Sequence, residues 1–127
     1  MNPNELCFLS ALRLSHLIST QEVSPVEVVE AHLARIEATE PTLNSFITLL
    51  PQQALADAKT AAEEIQAGNY RGPLHGIPIA LKDLYYVKGV RNTSGSKIFR
   101  DFIPDFDATL TSKLKDAGTI ILGKSNT

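Results

Sequence analysis

Two adjacent charges close an apolar run in this chain, and they are its best candidates for chemistry. Gly76-Ile77-Pro78-Ile79-Ala80-Leu81 reads as a buried strand and leads straight into Lys82-Asp83. Lysine and aspartate are almost never fully buried unless they are paired or put to use. A lysine held in an apolar site loses hydration, which disfavours its ammonium form and lowers its pKa. Such an amine can shuttle protons for a nucleophile near neutral pH or form a Schiff base. The competing reading is structural: Lys82 pairs with Asp83 or another carboxylate, its stem packed on the sheet. The residues alone leave both readings open.

Other candidates are weaker. Asn92-Thr93-Ser94-Gly95-Ser96 concentrates hydroxyls and glycine and could aim donors at a ligand, but such a string is usually a turn. It lacks phosphate-loop spacing. His75 stands beside Gly76, far in sequence from His16 and His32, and no Cys/His spacing points to a metal. Tyr85 and Tyr86 line a pocket or simply pack. The run from Thr119 to Lys124 reads as a core strand with a polar exit and no function of its own.

The elements that must position Lys82 can be read along the chain. Ser10 caps a helix through Ser19, with Leu12 and Ile18 on one face. Ser24, Pro25 and Glu27 form a capping box with proline at the first helical position. Val26, Val29, Leu33 and Ile36 then recur at helical spacing, and Pro41 is expected to stop the run. Residues 44–50 are a short strand or an irregular link. A third helix is expected over 52–67, with Leu55, Ala58, Ala62 and Ile65 buried and Gly68 as its cap. From Gly72 the texture changes to strand, long turn-rich loop, helix and strand. Asp107 is expected to cap that helix, whose face carries Leu110, Leu114 and Ala117, and 119–122 forms the second strand. This βαβ order implies parallel strands. The fold class is therefore α/β: N-terminal helices followed by the start of a mixed, largely parallel sheet. Two or three such strands cannot bury both faces alone, so the expectation is the first part of a larger domain. Residues 1–70 would be its helical part and 72–127 the start of its α/β core.

Composition narrows the class. The net charge of −2, from 12 basic and 14 acidic residues, gives no electrostatic footprint for nucleic acid or anionic lipid. No apolar run approaches membrane-spanning length. The leucine-rich segment 6–18 lacks the basic start of a signal peptide and is interrupted by Arg13 and His16. The single cysteine, Cys7, cannot form an internal disulfide, which fits a cytoplasmic location.

Taken together, GPLHGIPIALKD, KGVRNTSGSKIF and DATLTSKLKDAGTIILGKSNT resemble, in that order, blocks of the amidase signature family. The resemblance implies an incomplete amidase signature fold and hydrolysis of carboxamide C–N bonds through a Ser–cisSer–Lys triad. Lys82 maps onto the triad lysine. The family's two serines lie in a Gly/Ser-rich segment after the GKSNT-like block, and Ser94, Ser96 and Ser125 do not occupy those positions. The 127 residues by themselves are thus expected to be inactive. No cofactor is implied. The implied partner is a small-molecule amide substrate of the full-length protein, with a homo-oligomer or amidotransferase partner subunits as further expectations. The alternative within the family is the A subunit of the tRNA-dependent amidotransferase, which hydrolyses glutamine. A second alternative is a non-catalytic remnant that binds a partner.

Overall fold

The computed structural model describes all 127 residues. Local capping signals start the second and third helices where expected. Helix α1 (Pro3–Leu6) is short. Helix α2 (Ala11–Ser19) begins where the Ser10 hydroxyl accepts the Arg13 N–H at 3.1 Å. Helix α3 (Pro25–Leu43) opens on the capping box in full: Ser24 Oγ accepts from Glu27 N at 3.2 Å, and Ser24 N donates to Glu27 Oε2 at 2.8 Å. These bonds satisfy two otherwise orphaned amides. Ser24→Ala should therefore cost about 1 kcal/mol, read as a lower midpoint in chemical denaturation with an unchanged slope.

Three expectations need correction here. Pro41 does not stop α3. It falls in the last turn, where its missing donor removes one hydrogen bond, and Asn44 closes the helix in a left-handed conformation (φ 51°) with its N–H on Glu40 O at 2.8 Å. Leu12 is not on the packed face of α2; it is 79% exposed, and Leu14, Leu17 and Ile18 are buried instead. In helix α4 (Pro51–Gln66) the buried residues are Ala54, Ala58, Ala61 and Ile65, one position from the expected Leu55 and Ala62. The alanines allow α4 to approach α3 and the sheet closely, packing on Val29, Ile120 and Leu122. Leu55 and Ala62 lie half-buried at its edge.

The sheet has three strands in the order β1-β3-β2. Strand β1 (Phe46–Leu49) pairs antiparallel with β3 (Ile120–Ser125), and β2 (Pro78–Lys82) pairs parallel with β3. The crossover between the parallel strands carries a 3₁₀ turn at Lys97–Phe99 and helix α5 (Thr109–Asp116). Within residues 44–50 a strand thus forms over Phe46–Leu49, and the last strand runs three residues past Leu122. Pro78 is the first residue of β2, where its lost donor costs least. At Gly123 the strands β1 and β3 come so close that any side chain would overlap the Thr48 carbonyl. Ile120 and Leu122 face α3 and α4, whereas Ile121 faces Leu81 and Val87 on the other side.

Asp107 does not cap α5; Ala108 holds that position with no side-chain bond. The Asp107 carboxylate instead accepts the Lys88 N–H at 2.7 Å and pairs with Lys115 Nζ at 2.9 Å. Burial works to raise its pKa, but these two donors outweigh it and hold the carboxyl below its ordinary range. No helix is long and apolar enough to cross a membrane.

Candidate active site

Lys82 is the last residue of β2, at the carboxyl edge of a parallel pair, where open α/β sheets place their chemistry. Its carbonyl accepts the N–H groups of Leu84 (2.7 Å) and Tyr85 (3.1 Å), so the chain turns sharply just after it. The side chain is exposed and enters no ion pair. Both sequence readings of its surroundings need revision. Lys82 is not desolvated in this structure, and it does not pair with Asp83.

The buried lysine is Lys124. Its side chain is 0% exposed, and Nζ donates to Asn92 Oδ1 at 2.7 Å and Asp83 Oδ1 at 3.3 Å. Burial lowers the Lys124 pKa, with the Asp83 carboxylate acting in the opposite sense. Asp83 is equally inaccessible, and its other oxygen accepts the Thr93 N–H at 3.0 Å and the Thr93 hydroxyl. Its main chain is also engaged: the N–H donates to Ser125 O at 3.2 Å, and the carbonyl accepts Ser94 N at 3.0 Å. Lys82 and Asp83 are therefore neighbours with opposite fates. Alternation along an extended chain sends one to the open face and the other beneath the sheet edge.

The loop Asn92–Ser96 is brought to this edge by the same contacts. Asn92 is buried, its amide donates to Ser94 Oγ at 3.2 Å, and Ser94 takes a left-handed conformation (φ 51°). Ser96 caps the 3₁₀ turn through Ile98 N at 3.2 Å. Ser125 stands beside Lys82 in the strand register. Tyr86 packs edge-to-face on Phe102 and Phe106, at 5.5 and 5.3 Å between centroids, whereas Tyr85 is exposed.

His75 lies at the opposite end of β2. Four residues of extended strand separate Pro78 from Lys82, about 13 Å, so the histidine does not share the Lys82 site. Its Nδ1 accepts the Arg71 N–H at 3.1 Å, which leaves the proton on Nε2 to donate to Glu64 Oε2 at 2.8 Å. Arg71 grips the same carboxylate at 2.7 Å. The Arg71 hydrogen bond is the chief cause holding Glu64 below its ordinary pKa of 4.5. A depressed carboxylate contributes stability above its unfolded pKa and loses it as pH falls through the folded value. Glu64→Gln should accordingly flatten the decline in melting temperature below about pH 4.5, read by thermal melts across that range.

The sequence reading missed the Lys124 network. Its signal was the one that drew attention to Lys82, a charge closing a β-branched run, here Ile120-Ile121-Leu122-Gly123-Lys124.

Comparison with known proteins places this geometry in a family. The Amidase family profile matches residues 27–127. The glutamyl-tRNA(Gln) amidotransferase subunits A of Geobacter metallireducens and Geobacter sulfurreducens are each 47% identical over 96% of the chain. The chain spans about a quarter of the length of these relatives. Among solved structures, the native peptide amidase of Stenotrophomonas maltophilia superposes with a TM-score of 0.87 at 36% identity, over 94% of this chain and 25% of that one. A fatty acid amide hydrolase gives a TM-score of 0.91 at 29% identity, over 98% and 22%. The profile match over residues 27–127, together with these relatives, shows that the chain belongs to the amidase signature family.

Proposed function

We propose that these residues form the lysine-bearing part of an enzyme that hydrolyses carboxamide C–N bonds, with Lys82 as its proton-transfer group. The observation that carries this reading is the placement of Lys82: last in β2, free of any ion pair, and exposed at the carboxyl edge of the parallel pair. An amine there is accessible to a nucleophile brought to the open face. The family resemblance supplies that nucleophile from two serines in a segment following the last matched block. In that scheme the amine draws a proton from the attacking serine through the middle one. The serine oxygen adds to the amide carbonyl, the proton returns to the leaving amine, and water then releases the acyl group. The lysine must be unprotonated to begin, so exclusion of water on substrate binding would help it.

The test is amide hydrolysis by the whole protein against a panel of acyl amides, with ammonia or amine release as the readout. Absence of turnover on every amide, glutamine included, overturns the reading.

A second reading is favoured by one observation, the 47% identity to amidotransferase A subunits, against 36% and 29% for the solved peptide amidase and fatty acid amide hydrolase. Under it the amide is glutamine, and the released ammonia passes to an aminoacyl-tRNA with the help of partner subunits. Glutamine hydrolysis that rises on adding such subunits and charged tRNA supports this reading. Turnover of simple amides that ignores both supports the first.

A further inference from the structure

We propose that copies of this chain associate head to tail, the turn Lys97–Phe99 of one copy seating Ile98 in an acid-rimmed apolar groove between α3 and α4 of the next. Ile98 is the most exposed large apolar side chain of the molecule, at 88%. The turn that carries it is braced. Ser96 Oγ accepts the Ile98 N–H at 3.2 Å, and Phe99 N donates to Ser96 O at 3.1 Å. Phe99 packs edge-to-face on Phe102, and Phe102 on Tyr86. The Arg100 carbonyl accepts from Arg91 at 3.4 Å, whose other nitrogen is fixed on β1. A turn held this way presents its side chain with little conformational freedom left to lose. Lys97 and Arg100 flank Ile98, and both are exposed. Lys97 enters no ion pair, and Arg100 has only a 3.9 Å contact with the exposed Asp101.

The groove carries the opposite charge. It encloses about 510 Å³, and Leu33 and Ile36 of α3, Leu49 of β1 and Leu55 of α4 supply its apolar walls. Its only charged lining residues are Glu30 and Glu37, seven residues apart on the exposed side of α3. That spacing sets them about 10.5 Å apart along the helix axis, on one face. Neither carboxylate has an ion-pair partner within the chain. Leu33, Ile36 and Leu55 pack on the cluster of Val29, Ala54 and Ala58, so an aliphatic side chain seated in the groove extends that core. An isoleucine between two cations suits this surface: apolar area leaves water, and both carboxylates gain counter-charges. The exposure of Ile98 shows that a copy does not fill its own groove. Turn and groove are different surfaces, so the contact is heterologous and extends through further copies, into a ring or an open chain. It is smaller than the ~1,600 Å² of a standard interface, which makes the association weak and reversible.

The test is sedimentation equilibrium of the 127-residue chain over a concentration series, with circular dichroism establishing that each variant is folded. The weight-average mass of the parent should rise with concentration and fall back at high salt, which screens exposed charges. Glu30→Lys/Glu37→Lys alters the groove, and Lys97→Glu/Arg100→Glu alters the turn. Each reversal replaces two attractive contacts by repulsive ones, so each variant alone should associate at least about tenfold more weakly. Mixed in equal amounts, the two should associate again, because each supplies the surface the other lacks. Charges that merely tuned the fold would not give that recovery. Ile98→Ser should also weaken association by about tenfold or more. It decides alone if the charge-reversed variants do not fold, since the side chain it truncates lies almost wholly in solvent. A parent that stays monomeric up to about 1 mM overturns the inference. Association that ignores these substitutions overturns it too, and would assign the contact to another face such as a sheet edge.

Discussion

Replacing Lys82 with alanine in the whole protein should lower kcat/KM by at least about 10⁴-fold, the scale seen when one member of a catalytic unit is removed. The loss should fall on kcat, because an amine that moves protons acts in the transition state and adds little to ground-state binding. The fold should hardly notice. Within these 127 residues Lys82 is exposed and makes no ion pair, so in this chain its removal should change stability by no more than about 0.5 kcal/mol. Lys82→Arg sharpens the result. Arginine keeps the positive charge but does not lose its proton in proteins, so it cannot serve as a base. Both variants should be inactive while melting within a few degrees of the parent. An active Lys82→Arg would reduce Lys82 to a fixed charge, and an active Lys82→Ala would remove it from the chemistry.

What was legible in the sequence was local. The Ser24 capping box and the Ser10 cap are settled within three residues of each helix start, and both form as read. The βαβ order was equally readable, because a turn-rich loop and a helix between two apolar runs leave few other topologies. Features decided by distant partners were not. Asp107 has the chemistry of a cap, yet Lys88 and Lys115 claim its carboxylate. In α4 the choice between two stripes one residue apart depends on how closely α3 and β3 approach, and the alanines decide it. The adjacency of Lys82 and Asp83 suggested a pair, but neighbours on an extended chain face opposite ways. Asp83's true partner lies 41 residues away on β3. Lys82 was thus singled out for a burial that belongs to Lys124, while its position at the strand edge was read as the structure has it.

Lys124→Met should destabilise the chain by about 3–5 kcal/mol, the usual consequence of removing one partner of a buried ion pair. The cause is what remains rather than what is lost. Methionine fills the site with similar volume, but the Asp83 carboxylate stays at 0% exposure without its counterion, and Asn92 Oδ1 loses its donor. The two Thr93 bonds hold only the other carboxylate oxygen of Asp83, Oδ2, and leave Asp83 Oδ1 without a donor. Replacing both charges separates these effects. Asp83→Asn/Lys124→Met removes the stranded anion and should recover at least half of the loss, giving a coupling of at least about 1.5 kcal/mol in a double-mutant cycle. The parent should also gain stability as pH rises from the lowered Lys124 pKa towards the unfolded value of 10.5, since the unfolded chain then binds more protons at that site. The double variant should lack that component of the slope. Urea denaturation of the four proteins checks both statements, and additive single and double effects would mean that Lys124 and Asp83 share a pocket without depending on each other's charge.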